Sequence, residues 1–476
     1  MREPSWYKNK QVIVLGLARS GVAVAKLFWQ WGADVTVNDK KMREECPEAD
    51  ELAALGISVI CGGHPPELIS PDVALVVKNP GIPYKAAPVA RAAELGIDIV
   101  TEVEVAYHIC RAPMIGITGS NGKTTTTTWV GKMLAAAGMS PIVAGNIGRA
   151  LCDAAVGATE QDWMVVELSS FQLKGTREFR PRIACLLNVY ETHLDYHGTM
   201  EDYAGSKQKL FANQQESDVA VVNWDDPFCR SIIPQLAGQV LPFSMQEELQ
   251  KGVYTAWLPV GAAGEEEAEG KRYIVYKSPE GQLTPVLPTE EIGIPGEFNV
   301  ENALAAVACA LSAGASVEGI ARSLREFRGV EHRLEFVRDI NGIVYYNNSK
   351  ATNPAATVKA MEAFTKPIVL IAGGLERGMD YLDLVPHFRE RVKAVVALGE
   401  TREKIAAAAA AAGINLIKTV DTANSPAEAL DACVAAAAAF ANEGDVVLLS
   451  PACASWDMFA SYEERGSIFK QSVHNL

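Results

Sequence analysis

An α/β fold in three domains is predicted, and three observations predict it. Short β-branched runs alternate with longer Ala/Leu-rich stretches from end to end, the rhythm of parallel strands with helices packed on their faces. The rhythm restarts twice, near Ala112 and near Phe327, which places domain boundaries near residues 111 and 329. The length of 476 residues allows roughly two to four domains, each with its own core.

The first unit opens with a strand over Gln11–Leu15, a helix running to about Trp31 and a strand over Asp34–Val37. A helical stretch, Glu102–Arg111, closes it. The second unit starts on a strand at Met114–Thr118 and continues through strands at Trp163–Val166 and Ile183–Val189 to a helix over Tyr203–Phe211. Between about Val260 and Pro288 the pattern turns Gly/Glu-rich around Gly264-Glu265-Glu266-Glu267, which predicts an exposed hairpin excursion. The third unit carries strands at Gly342–Tyr346, Ile368–Ala372, Ala394–Leu398 and Val446–Leu449. Its Ala406–Ala412 and Ala435–Ala439 runs read as surface helices of high intrinsic propensity.

Composition narrows the function. Lys and Arg number 43 against 58 Asp and Glu, a formal net charge of −15. Such a chain does not grip nucleic acid by bulk charge, so any anion it binds is held by a local site. The nine cysteines are scattered, with no C-x-x-C pair, which fits a reduced cytoplasmic setting and argues against a zinc knuckle. No run reaches the ~18 uncharged apolar residues of a membrane helix, so no membrane insertion is expected.

The strongest motif is Gly116-Ile-Thr-Gly-Ser-Asn-Gly122-Lys123-Thr124-Thr125, between an apolar strand and a helical stretch. Backbone N–H groups of such a loop form an anion nest backed by the helix N-terminus. Lys123 would neutralise phosphate charge and the Thr124 hydroxyl would ligate Mg²⁺. The spacing departs from the usual phosphate loop: Ile117 stands where that pattern needs glycine, with Gly116 and Gly119 around it. A second glycine turn, Gly16-Leu-Ala-Arg-Ser-Gly21, is a dinucleotide fingerprint with Ala18 in the middle position and Asp39 at the end of the next strand. It marks a domain for a nucleotide-like ligand and leaves an NAD reading open. Glu167 ends a strand and is placed for Mg²⁺. Glu191, His193, Asp195 and His197 form a candidate metal or catalytic cluster. On spacing alone, Lys207 and Lys209 read as solvated helix lysines. The polar runs Glu331–Glu335, Asn347–Asn353 and Ser450–Trp456 recur at strand ends in the third unit, where open α/β sheets bind ligands.

Together these runs resemble the Mur ligase family over essentially the whole chain. Thr118-Gly-Ser-Asn-Gly-Lys-Thr124 is similar to that family's modified phosphate loop, which accounts for the irregular spacing. Glu167-Leu-Ser-Ser-Phe-Gln-Leu173, Asn347–Asn353 and Ser450-Pro-Ala-Cys-Ala-Ser455 resemble its D-glutamate-adding branch. The resemblance implies a Rossmann-like N-terminal domain at 1–111 for the UDP end of the substrate and a central P-loop-type ATPase domain with a parallel sheet at 112–329. A Rossmann-like C-terminal domain at 330–476 would bring the amino acid. It implies ATP-dependent ligation of D-glutamate to the L-alanine carboxylate of UDP-N-acetylmuramoyl-L-alanine through an acyl phosphate, in peptidoglycan precursor synthesis for the cell wall. ATP and two Mg²⁺ ions are the expected cofactors, the partners are small molecules with no nucleic acid, and a cytoplasmic monomer is expected.

Residue by residue, the resemblance assigns Gly119, Ser120, Asn121, Gly122, Lys123, Thr124, Thr125, Asn302 and Arg333 to ATP. Ser20, Asp39, Lys40, Gly81 and Asn146 go to the UDP-substrate, and Lys350, Thr352, Arg377, Ser455 and Tyr462 to D-glutamate. Thr124, Glu167, His193 and Lys207, the last as a carbamate, go to metal, with Lys123, His193 and Lys207 catalytic. Three departures stand out: Asn348 where the family's Asp contacts the ATP ribose, Tyr462 where some members have Phe, and Arg377 where others place Lys. The rival readings are a folylpolyglutamate synthase-like ligase, an NAD-dependent oxidoreductase and a nucleotide-gated scaffold without catalysis.

Overall fold

The structure is a computed structural model that describes residues 1–259, 270–421 and 425–476; Gly264–Glu267 of the expected excursion lie outside them. By packing, the chain forms two compact units, Met1–Glu291 with Glu301–Leu324, and Ile292–Val300 with Arg325–Leu476. Two sheets build the first unit and one builds the second.

The first sheet joins β1 (Gln11–Leu15), β2 (Asp34–Asp39), β3 (Ser58–Cys61), β4 (Val73–Lys78) and β5 (Ile99–Val100) in the order β3-β2-β1-β4-β5, all parallel. Its central strands are apolar on both faces, as a sheet covered by helices requires. The expected helix runs Arg19–Gln30 and buries Val22–Ala25, Leu27 and Phe28.

The second sheet contains β6 (Met114–Thr118), β7 (Ser140–Gly145), β8 (Asp162–Glu167), β9 (Ile183–Leu186), β10 (Val219–Asn223), β11 (Gln239–Ser244), β12 (Gly252–Leu258), β13 (Lys271–Lys277) and β14 (Leu283–Pro288). Its order is β14-β13-β12-β11-β10-β9-β6-β8-β7. The β12–β13 and β13–β14 pairs are antiparallel, so the Gly/Glu-rich excursion joins two strands of a hairpin. The strand expected over Ile183–Val189 ends at Leu186, and Asn188 then serves the loop after β6, accepting Ser120 N–H and Asn121 N–H at 2.9 Å each.

The two sheets share one apolar core, and buried polar groups of helix Glu102–Ile109 tie them together. The Glu104 carboxylate accepts the backbone N–H groups of Arg177, Glu178 and Phe179 at 2.9, 2.8 and 3.2 Å. Glu102 accepts that of Cys152 at 2.9 Å. Some of the acidic surplus therefore works inside the protein, where each buried carboxylate is hydrogen-bonded.

The third sheet joins β15 (Glu335–Ile340), β16 (Ile343–Asn347), β17 (Ile368–Gly373), β18 (Val392–Leu398), β19 (Leu416–Thr419) and β20 (Val446–Leu449) in the order β15-β16-β20-β17-β18-β19. Only β15–β16 is antiparallel. Asn341 and Gly342 close that hairpin with φ of 53° and 78°, the left-handed pair of a tight primed turn, so the strand expected from Gly342 begins at Ile343. The alanine runs lie in helices Arg402–Ala411 and Pro426–Phe440 and are not bare surface: Ala408, Ala409 and Ala437 are buried in the core. No helix among the described residues is long and apolar enough to cross a membrane, and all nine cysteines are free thiols.

Candidate active site

The chain leaves β6 through Gly119–Gly122 and enters the helix Lys123–Ala136. Gly122 caps that helix at φ +82°, and a Cβ there would overlap the Asn302 Oδ1 atom; only glycine fits the turn without strain. Asn302 is buried and accepts the Thr126 hydroxyl at 3.4 Å. The loop is braced from the chain beyond β9. Asn188 accepts Ser120 N–H on its carbonyl and Asn121 N–H on its side chain, both at 2.9 Å. The Ser120 hydroxyl accepts Tyr190 N–H at 2.8 Å and meets the Tyr203 hydroxyl at 2.9 Å. Neither Asn188 nor Tyr203 stands out in the sequence, since each acts through a partner far along the chain.

Two lysine side chains converge on one carbonyl. Lys123 Nζ donates to Gly119 O and Ser120 O at 2.9 Å each, and Lys207 Nζ donates to the same Gly119 O at 2.7 Å. Lys207 is 1% exposed, which corrects the expectation of a solvated helix lysine. Burial first, and the Lys123 charge second, hold its amine well below the usual lysine range. Lys209, two residues on, donates to the Lys174 carbonyl at 2.7 Å.

Glu167 ends β8 and is 2% exposed. Its Oε1 accepts the Asn146 amide at 2.9 Å, while its Oε2 is buried without a hydrogen-bond partner. The structure thus joins Asn146, assigned to the substrate, to Glu167, assigned to metal. His193 takes a left-handed backbone (φ 57°) at the start of the short helix Leu194–His197 and stays accessible. Partial burial and the Lys123 charge lower its pKa, against the nearby Asp195, so its imidazole is neutral and able to ligate.

The other half of that cluster turns inward. His197 Nε2 meets the Ser170 hydroxyl at 3.0 Å and its Nδ1 meets Asp202 at 2.7 Å, with Lys174 on the same carboxylate at 2.6 Å. The connectivity is that of a nucleophilic triad. Ser170 is nevertheless 2% exposed, so no substrate reaches it and the network serves packing.

The glycine turn after β1 is finished by protein partners. Gly16 takes φ +103°, and a Cβ there would lie 2.7 Å from that of Asn79. Asp39 accepts Leu17 N–H at 2.7 Å and Lys41 N–H at 3.0 Å. The acid that would bind a ribose in the NAD reading is therefore turned onto the loop. Ser20 lies in the first turn of the following helix and Lys40 is exposed after β2. Gly81 follows β4, its N–H 3.3 Å from the Asn79 side chain. All four sit at carboxyl ends of adjacent strands, where this sheet class binds ligands.

In the second unit, loops after β16, β20 and β17, three neighbouring strands, carry Lys350 and Thr352, Ser455, and Arg377, while Tyr462 opens the helix Tyr462–His474 and Arg333 precedes β15. Lys350 Nζ meets the Tyr462 hydroxyl at 2.6 Å and lies 4.2 Å from its ring centroid. Burial and neighbouring Glu463 push the Tyr462 phenol up to about 12, opposed by the Arg333 charge, which puts Arg333 in the same neighbourhood. Thr352 is exposed and Ser455 is buried. Arg377 stacks on Trp456 at 5.1 Å, a partner that composition did not reveal. Asn348 is buried, with its amide oxygen on Leu334 N–H at 3.2 Å and its amide nitrogen on the Ser450 hydroxyl at 3.1 Å. Each end of the amide makes one internal hydrogen bond, which leaves one N–H and one lone pair of Asn348 for a further partner.

Comparison with known proteins finds matches along the whole chain. Residues 10–101 match the Mur ligase MurD-like N-terminal domain, 117–310 the Mur ligase middle domain and 332–453 the Mur ligase glutamate ligase domain. The chain is 48% identical over 477 residues to the UDP-N-acetylmuramoylalanine–D-glutamate ligase of Geobacillus kaustophilus, covering 100% of both chains. It is 47% identical over 476 residues to the enzyme of that name from Bacillus cereus, again at 100% coverage of both. Its fold is similar to that of UDP-N-acetylmuramate–alanine ligase MurC from Thermotoga maritima, with TM-score 0.58, 19% identity, and 98% of this chain and 99% of that chain covered. MurF ligase from Thermotoga maritima, solved with ADP, gives TM-score 0.55 at 18% identity over 99% and 97% of the two chains.

Proposed function

The chain belongs to the Mur ligase family, and from that footing we propose that it joins D-glutamate to the L-alanine carboxylate of UDP-N-acetylmuramoyl-L-alanine, consuming ATP, in peptidoglycan precursor synthesis. The observation that carries this choice of branch is the 48% identity, over the whole chain, to a ligase of that name. The cleft chemistry supports it. A carboxylate is a poor acyl donor because oxide would have to leave. Transfer of the γ-phosphoryl group of ATP onto that carboxylate provides phosphate as leaving group. Attack of the D-glutamate amine on the acyl carbon then forms the amide and releases inorganic phosphate beside ADP.

Both partners of the first step are anions, so the residues act chiefly by holding like charges together. Gly119–Thr125 cradle the phosphates with N–H groups and Lys123, Asn302 takes the adenine end, and Arg333 contributes from the C-terminal domain. Ser20, Asp39, Lys40 and Gly81 hold the uridine diphosphate, and Asn146 the muramoyl end. Lys350, Thr352, Arg377, Ser455 and Tyr462 receive D-glutamate; the planar guanidinium of Arg377 suits bidentate capture of a carboxylate.

The donor set fits Mg²⁺, because Glu167 keeps a buried oxygen without a protein partner and the Thr124 hydroxyl and neutral His193 are further ligands. Burial disfavours the protonated amine of Lys207, and the uncharged amine is the form that CO₂ needs; the carbamate would supply an anionic oxygen donor and complete a pair of metal sites. When bound, Mg²⁺ offsets phosphate charge. We place the enzyme in the cytoplasm as a monomer.

The test is inorganic phosphate release from ATP with UDP-N-acetylmuramoyl-L-alanine. D-glutamate should sustain turnover, and omitting it or supplying L-glutamate should not. Equal turnover with L-lysine or meso-diaminopimelate would move the chain to another branch. Turnover without any UDP-linked substrate would favour the folylpolyglutamate-type reading.

A further inference from the structure

An arginine-lined cleft lies at the amino ends of the interior strands β6, β9 and β10 of the central sheet, whereas the glycine loop lies at the carboxyl end of β6. It has a volume of about 330 Å³ and is bounded by Tyr107, Arg111, Met114, Arg180, Arg182 and Asp218. Met114 is the first residue of β6, and Arg182 and Asp218 immediately precede β9 and β10. Arg111 sits on the connection between the helix Glu102–Ile109 and β6. Every element of the cleft belongs to the first compact unit.

In its lining arginine outnumbers carboxylate. Asp218 is the one carboxylate in the lining, is 1% exposed at its side chain, and is saturated. Oδ2 accepts Arg180 Nε at 2.6 Å and Gln215 N–H at 2.8 Å. Oδ1 accepts Arg180 Nη2 and Arg182 Nη1 at 3.2 Å each. Arg111 is exposed and makes no ion pair among the described residues. The nearby Asp162 carboxylate is held by Thr159, at 2.8 Å from its N–H and 2.7 Å from its hydroxyl. Three guanidiniums thus face one carboxylate in a chain of net charge −15. Asp218 fixes two of those forks in place, leaving N–H donors of Arg180 and Arg182 directed away from it. Fixed guanidinium forks recognise tetrahedral oxyanions by paired hydrogen bonds, with little ordering left to do on binding.

We propose that this cleft binds a phosphate-bearing small anion at a site separate from the nucleotide loop. The surplus of charge matches a dianion, and the volume is at the small end for ligand pockets, suited to a diphosphate and not to a whole nucleotide sugar. The occupant bridges Arg111 on the connection to Arg182 at the amino end of β9. The inference does not rest on the ligase reading, because it is tested by binding.

The experiment is calorimetric titration of inorganic pyrophosphate, and separately of UDP, into the wild-type protein, Lys123→Ala and Arg111→Gln/Arg182→Gln. One binding event should survive in Lys123→Ala and weaken at least about tenfold in the double variant, as expected for loss of charged hydrogen bonds. The double variant should keep its melting temperature and its D-glutamate-dependent turnover. Loss of one UDP binding event together with that of pyrophosphate in the double variant assigns the site to a nucleotide's diphosphate, and loss of the pyrophosphate event alone assigns it to free phosphate species. Identical pyrophosphate titrations for wild type and double variant overturn the proposal, as does equal displacement by glutarate. Should the double variant fail to fold, Arg111→Gln alone applies the same criterion.

Discussion

The two glycine turns of the first unit begin alike and end differently. Each leaves the carboxyl end of a parallel strand for a helix, and each needs a left-handed glycine under a packed side chain, Gly16 beneath Asn79 and Gly122 beneath Asn302. In the first turn the polar groups close on the protein: both oxygens of Asp39 accept backbone N–H groups. In the second they do not close. Lys123 and Lys207 crowd one carbonyl, and Glu167 keeps a buried oxygen unpartnered. A loop whose hydrogen bonds are already complete can only select a ligand by shape and a few added contacts. In the second turn the one buried polar atom without a partner is Glu167 Oε2, and such an atom in a low dielectric is costly until a ligand satisfies it.

That contrast can be broken from the charged side first. Lys123→Ala should lower D-glutamate-dependent phosphate release by about 10³-fold, the scale of losing a principal charge stabiliser. Turnover within tenfold of wild type would remove Lys123 from the chemistry. Next, Glu167→Gln should cost about 10²-fold and shift the Mg²⁺ activation midpoint upward, while chelation by EDTA silences both proteins. An unchanged Mg²⁺ midpoint would leave the orphan oxygen without a metal role.

On the closed side the effects should be smaller. Asp39→Asn keeps one acceptor oxygen for the loop, so the KM for the UDP-substrate should rise by roughly 3- to 10-fold with kcat nearly constant. A fall in kcat as large as that of Glu167→Gln would erase the difference between the turns. The smallest effect concerns stability. Lys78, at the foot of the first turn, donates to Asn79 O and Pro80 O at 3.3 and 3.1 Å, and burial, then the Lys174 charge, lowers its amine from 10.5 to about 8. Below pH 8 both folded and unfolded chains carry the proton. Between about 8 and 10.5 only the unfolded chain does, so folding stability rises with pH across that window. Lys78→Met should flatten the rise by about 1–3 kcal/mol in denaturant titrations at pH 7.5 and 10; parallel pH curves would show that Lys78 does not titrate in the fold.

Much of this was legible beforehand, for local reasons. The β-α-β rhythm located the sheets because strand and helix periods are written in neighbouring residues. Glycine and lysine spacing located the phosphate loop although Ile117 breaks the usual pattern. Strand ends were less legible. The strand expected through Val189 stops at Leu186, and Asn188 serves a loop nearly 70 residues away, a demand that no local window contains.

Sequence by itself determined the α/β class, the two glycine turns, the carboxylate at the end of β8 and the family. Each depends on residue type at short spacing. Tertiary structure alone decided which charges are buried and against what. It sank Lys207 beside Lys123, turned His197 inward to Ser170 and Asp202, engaged both ends of Asn348, and set Arg377 on Trp456. Burial and pairing are made by segments distant in the chain, and they set the protonation and charge on which the chemistry depends.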